Sequence, residues 1–478
     1  MNFTAELPDI SLLTQESIYM IGIKGVGMTA LATMLVEAGL HVGGADVSEK
    51  FVTDELLHSM GIVVDDLAEA QIPADCRLVI YSGAHQGRQN PLVRRAVDQN
   101  IVAVNLATAV GLLSREVKTI GVCGVGGKST TSALLSWIFD QSTVSASYAV
   151  GVGNIPNLGR SGHWATDAEY FVVEADEYVA DPLQDKTPRF LYLQPHILIC
   201  TSLTFDHPDV YESFADTERA FRTLFEKLPT DGLLVYNGDD PALRSLVEHT
   251  SVACRTVAVG GNEENDIVLS DWQVEDGYGS VSVNEYTITS QVPGQHNLRN
   301  AVYAAVVAEE IGVDWAVTER AIREFRSTQR RFEYRGKTQS GAMCYDDYAH
   351  HPHEILAIAQ TLQAWFPEKR KTIAFQPHTY SRTQALHAEF AQVLAGSADQ
   401  VYLMPIFASA REQFDNSITS EILVSDVQSR GQSAELVVNQ TRMLELINQL
   451  GPDDIFITLG AGDIYKVYEH VDFYHTTE

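Results

Sequence analysis

The stretch TIGVCGVGGKSTTSALLSWIFD, residues 119–140, constrains this chain more than any other. An apolar, β-branched run breaks at a glycine loop, a Lys-Ser-Thr triplet follows, and a helical pattern starts at once. Such a unit folds as a strand inside a parallel sheet, with the helix returning across its face and the loop at the carboxyl edge. Glycines let backbone N–H groups close on an anion, the helix N-terminus adds positive potential, and the lysine adds a point charge. Gly124, Gly126, Gly127, Lys128, Ser129 and Thr130 therefore read as a phosphate loop, with the Ser129 hydroxyl a natural ligand for Mg²⁺. The spacing G-x-x-x-x-G-K-[ST] fails, because Val122 stands where its first glycine would fall. The shorter form G-x-x-G-K-[ST]-[ST] fits. Kinases and GTPases use the same device, so the loop names the nucleotide and not the reaction.

Strand-like runs alternate with helical patterns through most of the 478 residues, which predicts an α/β protein with parallel sheets and about three domains. SIYMIGI (17–23), a glycine turn and a helix over 28–38 open a first unit that runs to about Glu116. A second starts at 119 and continues through strands at 170–176, 196–203 and 232–240, an antiparallel edge between Thr256 and Val292, and a helix over 297–311. The pattern breaks around 325–331, and strands at 372–378, 401–407 and 454–462 mark a third unit. Five scattered cysteines without a CxxC pair predict a reduced protein without disulfides. The first fifteen residues carry two acids and no base, unlike a signal peptide, so a cytoplasmic location is expected. No run approaches the roughly 20 apolar residues of a membrane span, and none is expected to insert. A formal charge of −30 argues against nucleic acid, whose phosphates need a basic footprint.

Glu174, Asp176 and Glu177 end the strand after the loop, and His207 lies just beyond the following one. Carboxylates and an imidazole at a carboxyl edge suit a second Mg²⁺, although histidine is a minority ligand for that ion. Gly22, Gly25 and Gly27 followed by Asp46 would, taken alone, read as a dinucleotide fold with the acid on a ribose, but the spacing is not G-x-G-x-x-G. HHPH (350–353) lacks the helical spacing of a zinc site.

The order GVGGKSTT, EADE, a strand ending in DH, GQHNLRN, RRFE and DDYAHHP resembles the Mur ligase family over essentially the whole chain. The resemblance implies an N-terminal Rossmann-like UDP-sugar-binding domain (1–116), a central P-loop ATPase-like domain with a mixed sheet (117–328) and a C-terminal Rossmann-like amino-acid-binding domain (329–478). It is closest to the branch that joins L-alanine to UDP-N-acetylmuramate in peptidoglycan synthesis, with ATP and Mg²⁺ as cofactors. EADEYVADPLQDKTPRF (174–190) also resembles the branch that attaches a ready-made murein tripeptide to the same sugar.

By this resemblance Gly22, Gly25, Val26, Gly27, Met28, Asp46 and Ser82 meet the UDP-sugar. Lys128 holds the β- and γ-phosphates, and Ser129, Glu174 and His207 hold metal. His296, Asn297 and Asn300 frame the adenine, Arg331 reaches the phosphates and Asp346 meets the ribose. Tyr348, His350, His378 and Arg382 serve the incoming amino acid, with His350 and Arg382 as catalytic candidates beside Lys128, Glu174 and His207.

Two positions depart from the family pattern. Val125-Gly126 replace the usual Thr-His of the loop, and Thr379 replaces the Arg that usually follows FQPH. The stretch 211–221 holds no lysine to be carbamylated, which agrees with the two branches named above. A monomer or weak homodimer is expected. Other readings of the chain are a folylpolyglutamate- or cyanophycin-type ligase, a catalytically inactive nucleotide sensor and a dinucleotide oxidoreductase; the N-terminal glycine loop argues against the first.

Overall fold

The computed structural model describes residues 17–205, 210–408 and 417–474. Contacts divide the chain into two compact units. Of the described residues, one comprises those up to Gln273, Ser280–Gln291 and Asn297–Gln329; the other comprises Val274–Gly279, Val292–His296 and those from Arg330 onward.

The chain begins with a parallel sheet of β1 (Ser17–Ile21), β2 (His41–Asp46), β3 (Val64–Asp66), β4 (Leu78–Tyr81) and β5 (Val102–Asn105), in the order β3-β2-β1-β4-β5. This is the doubly wound order, whose switch point between β1 and β4 opens a crevice at the carboxyl edge. The helix Val26–Glu37 follows β1 directly and buries Met28 to Leu35 against the sheet. The expected strand 17–23 ends at Ile21, because Gly22 turns the chain at φ 81°.

A ten-stranded sheet follows. It contains β6 (Lys118–Cys123), β7 (Ala146–Ala149), β8 (Gly162–His163), β9 (Tyr170–Glu174), β12 (Pro195–Cys200), β13 (Leu233–Asn237), β14 (Arg255–Gly260), β15 (Ile267–Glu275), β16 (Tyr278–Val283) and β17 (Tyr286–Ser290). Between β9 and β12 a small two-stranded sheet pairs β10 (Val179–Asp181) with β11 (Asp185–Pro188). The large sheet runs β17-β16-β15-β14-β13-β12-β6-β9-β7-β8, so β6 sits inside it between two parallel partners.

The antiparallel edge starts later than the sequence suggests. β14 pairs parallel to both β13 and β15, and β15, β16 and β17 then follow one another in the sheet across the two-residue turns Asp276-Gly277 and Asn284-Glu285. Asp276, Gly277 and Asn284 take positive φ there, as tight hairpins require.

In the other unit, β18 (Glu333–Lys337), β19 (Met343–Asp347), β20 (Arg370–Phe375), β21 (Gln400–Leu403), β22 (Ala434–Leu436) and β23 (Asp454–Leu459) form a sheet in the order β18-β19-β23-β20-β21-β22, with only β18 antiparallel. Its core is aliphatic and aromatic, with Ile355, Leu362, Phe375, Phe390, Leu403 and Ile457 buried on one face.

Within the first unit, one half-buried carboxylate ties the first sheet's helix to the second sheet. Glu37, the last residue of that helix, accepts hydrogen bonds from Trp164 N at 2.9 Å and His163 Nδ1 at 2.7 Å, and pairs with Arg160. Gly162 leaves no room for a Cβ, since the Ala30 backbone occupies that space. Burial pushes the Glu37 carboxyl up, but the bonds from His163 and Trp164 and the charge of Arg160 outweigh it and hold it below the usual carboxylate range. A depressed carboxyl contributes stability that is present above its unfolded pKa and lost as pH falls through its folded one. Glu37→Gln should therefore lower stability at pH 7 by about 2 kcal/mol. The gap to the wild type should narrow as pH falls through the depressed folded pKa of the wild-type carboxyl, where the wild type too becomes protonated. Urea unfolding at several pH values measures both.

Candidate active site

The glycine loop Gly124–Gly127 lies where β6 ends. Gly124 (φ 115°) and Gly127 (φ 83°) adopt conformations closed to L side chains, and the helix Lys128–Asp140 starts at the next residue. The end of β12 clamps the loop from one side. Ser202 Oγ accepts from Val125 N at 3.1 Å, and Thr201 Oγ1 donates to the carbonyls of Cys123 and Gly126. Asn300 backs the other side: a Cβ on Gly127 would come within 2.6 Å of its Oδ1. Asn297 and Asn300 are buried on the first turns of the helix Gln295–Ile311, 3.4 Å apart through Nδ2 and Oδ1, with half-buried His296 just before them.

Glu174 ends β9 in register with Val122 of β6, and its Oε1 accepts from Gly151 N at 2.8 Å. Asp176 pairs with Arg189 at 2.8 Å. Lys128 Nζ reaches the Gly124 carbonyl at 2.8 Å and both Glu177 oxygens at 2.9 and 3.0 Å. Burial alone would weaken the Lys128 charge, but Glu177, Asp176 and Glu174 more than offset it and hold the ammonium firmly protonated. His207 lies outside the described residues.

Among the described residues, no three or more His, Cys, Asp or Glu side chains form a ready metal cage. Mg²⁺ is held by one or two carboxylates, with phosphate oxygens and water completing its shell. The Ser129 hydroxyl and the Glu174, Asp176 and Glu177 carboxylates are oxygen donors of that kind.

At the carboxyl edge of the first sheet, Ser82 Oγ sits where a Cβ on Gly22 would be, and Gly25 starts the helix that carries exposed Val26, half-buried Gly27 and buried Met28. Asp46 is buried and accepts from Lys24 N at 2.7 Å and Val47 N at 2.8 Å, while His85 Nε2 lies 3.2 Å away. Asp46 thus fixes the turn after β1. The open space lies next to it: Val47, Ser48, Asp66, His85, Asn90 and Arg95 are among the residues lining a cavity of about 660 Å³.

In the other unit, Tyr348, His350 and His378 come together. His350 stacks edge-on against Tyr348 at 5.3 Å and against His378 at 6.2 Å, and Arg331 lies 5.3 Å above the Tyr348 ring. Asp346 is buried as the counter-ion of Arg330 at 3.0 Å and accepts from Thr458 at 2.6 Å. Burial pushes the neighbouring Asp347 carboxyl up to about 6, against the pull of Arg331 and of the Phe332 and Ala349 N–H groups. Thr379 serves the local backbone, since at φ 67° its Oγ1 caps the helix Tyr380–Ala385 by accepting from Arg382 N at 3.3 Å. Arg382 itself is buried in that helix.

Three domain profiles of one family match the chain in sequence: "Mur ligase family, catalytic domain" over 17–118, "Mur ligase middle domain" over 122–308 and "Mur ligase, glutamate ligase domain" over 330–462. A UDP-N-acetylmuramate–L-alanine ligase of Desulfitobacterium hafniense is 33% identical over 458 residues, 94% of this chain and 98% of that one. The chain belongs to the Mur ligase family.

A second relative of the same description, from Lachnospira eligens, is 33% identical over 95% of this chain and 97% of its own. Among solved structures, UDP-N-acetylmuramate–alanine ligase of Thermotoga maritima shares the fold with a TM-score of 0.78 at 24% identity, covering 95% of this chain and 97% of that one. Mur ligases are ATP-dependent ligases, and this chain carries the family's three domain matches on an α/β fold. No helix among the described residues is long and apolar enough to cross a membrane.

For this Mur ligase, sequence reasoning found the loop and the acids but not what holds them. The Thr201–Ser202 clamp, the Gly151 N–H on Glu174 and His85 beside Asp46 carry no motif. The one general signal is their place just after strands or in edge loops, where α/β proteins bind ligands. Glu177 was visible only as part of EADE.

Gly127 is the most exacting position in the loop. Gly127→Ala adds a Cβ against Asn300 to a backbone that already disfavours L residues by about 1–2 kcal/mol. The expected outcome is a nucleotide affinity at least tenfold weaker with the fold retained, measured by calorimetric titration of a non-hydrolysable ATP analogue.

Proposed function

We propose that this chain joins L-alanine to UDP-N-acetylmuramate, converting ATP to ADP and inorganic phosphate. The observation that carries the reading is the pinned phosphate loop beside Glu174, in a chain one-third identical along its length to ligases of that description. A carboxylate is a poor electrophile. Its oxygen takes the γ-phosphoryl group, ADP leaves, the alanine amine attacks the acyl phosphate, and phosphate departs with the transferred carboxylate oxygen. Such transfer needs positioning and charge neutralisation more than a protein nucleophile.

In this reading the first domain, about 1–116, takes the UDP-sugar through Gly22, Gly25, Val26, Gly27, Met28, Ser82 and the turn fixed by Asp46. Residues 117–328 bind ATP, with Lys128 on the β- and γ-phosphates and Asn297, Asn300 and His296 on the adenine. Mg²⁺ would be held by Ser129 and by Glu174 with His207, supplying charge to the phosphoryl oxygens. Residues 329–478 receive the amino acid: Arg382 forks its carboxylate, and the Tyr348–His350–His378 group takes the proton that the ammonium must lose. Arg331 contributes charge to the phosphates and Asp346 orients the ribose side.

The test is phosphate release with ATP, Mg²⁺ and UDP-N-acetylmuramate, with L-alanine, glycine, L-serine or the murein tripeptide supplied separately. Release should require both the sugar and L-alanine. Dependence on the tripeptide alone would keep the chemistry and change the amine. Release in no case, with ATP still bound, would contradict the ligase reading. In the same assay Lys128→Ala should lower kcat by about 10²–10³-fold, the worth of one preorganised charge at a transition state.

A further inference from the structure

The loop after β4 carries three consecutive residues in the left-handed region: His85 at φ 51°, Gln86 at 71° and Gly87 at 51°. Only the glycine adopts that backbone without penalty, so the other two must be held there. Both His85 and Gln86 line the cavity of about 660 Å³ at the carboxyl edge of the first sheet. His85 also lies against the turn after β1. Its Nε2 is 3.2 Å from Asp46, and its ring is 3.5 Å from where a Cβ on Gly22 would stand. The shape of this loop therefore decides what the cavity presents to a ligand.

Two side chains hold it. Asn90 Nδ2 donates to the His85 carbonyl at 3.0 Å, while its Oδ1 caps the helix Pro91–Asp98 that follows. The second comes from far along the chain. Asp181 Oδ2 accepts from Arg88 N at 2.8 Å, and Oδ1 accepts from Leu183 N at 3.0 Å, which fixes the tip of the β10–β11 hairpin. Asp181 is fully buried, and a Cβ on Gly87 would overlap its carboxylate. Gly83 packs as closely, with the Ala180 carbonyl 2.7 Å from where its Cβ would be. A buried carboxylate is costly unless its oxygens are bonded, and here one oxygen serves the hairpin and the other the loop. We propose that Asp181 is a positioning residue for the UDP-sugar, reaching from the segment matched as the middle domain into the loop that lines the sugar cavity. Without its carboxylate the Arg88 N–H loses its acceptor, the left-handed stretch relaxes, and His85 and Gln86 leave the cavity wall. Its bonds run to the edge of the first sheet and not to the glycine loop Gly124–Gly127, so sugar binding and nucleotide binding should separate. This rests on the UDP-sugar reading above and deepens it.

The test is calorimetric titration of UDP-N-acetylmuramate and, separately, of a non-hydrolysable ATP analogue with Mg²⁺ into full-length Asp181→Ala, with KM and kcat from phosphate release. Sugar affinity should fall at least tenfold and KM for the sugar should rise in step. Analogue affinity, and kcat at saturating sugar, should stay within threefold of the wild type. Gly87→Ala leaves Asp181 in place but crowds its carboxylate, and should weaken sugar binding to a similar degree. In the double variant the two losses should not multiply, because the loop is already released. Sugar affinity within twofold of the wild type in either single variant overturns the proposal while the sugar reading stands. So does a parallel loss of sugar and analogue binding, which is what a merely structural role predicts, or a double variant whose losses multiply. If the wild type itself binds no UDP-N-acetylmuramate, the sugar reading falls and the positioning role with it.

Discussion

The site depends on the register of one strand. β6 lies between β9 and β12 with Val122 opposite Glu174 and Cys123 opposite Cys200. The ladder continues one residue further on each side, through Ala175 N to the Val122 carbonyl at 2.8 Å and Thr201 N to the Cys123 carbonyl at 3.0 Å. The glycine loop, the acidic strand end and the Thr201–Ser202 clamp therefore leave the sheet at the same level. A one-residue slip of any of the three would turn its side chains to the opposite face and disperse the site. All three strands are buried hydrophobic runs, and burial on both faces is what fixes the register.

Charge is the second constraint. In a chain of net charge −30, three acids within four residues gather at the largely enclosed Lys128, with Asp176 also paired to Arg189. The helix N-terminus and the loop N–H groups supply the remaining positive potential. Attraction inside an enclosed site is stronger than in water, and so is the cost of an unpaired group. The lysine–glutamate pair is the arrangement that satisfies both in the protein by itself. The arrangement suits a ligase, whose reactants bring several negative charges that must be matched before phosphoryl transfer can occur.

Much of the fold and part of the site were legible because the information is local. A β-branched run, a glycine turn and Lys-Ser-Thr mark a strand, loop and helix within 22 residues, and the strand boundaries missed by only a few positions. The partners were not legible, because they join distant segments: Val125 to Ser202 across 77 residues and Arg88 to Asp181 across 93. The parallel pairing of β14 was hidden for a different reason, since an alternating run such as RTVAVG reads alike in parallel and antiparallel sheets. Asp346 stood out in DDYAHHP as a ligand residue, yet its side chain is committed to Arg330, whose own significance no motif marks. Thr379, which stands where the family usually has Arg, caps the helix Tyr380–Ala385, a local role that no motif marks.

The central claim is that a substrate carboxylate is activated by direct phosphoryl transfer. It is tested most directly by running the reaction on UDP-N-acetylmuramate labelled with ¹⁸O in its lactyl carboxylate and measuring the mass of the released phosphate. The account predicts one ¹⁸O atom in each phosphate formed, transferred as the acyl phosphate collapses on the amine. Unlabelled phosphate, with both ¹⁸O atoms still in the sugar, would mean that water and not the carboxylate attacks ATP, and would contradict it.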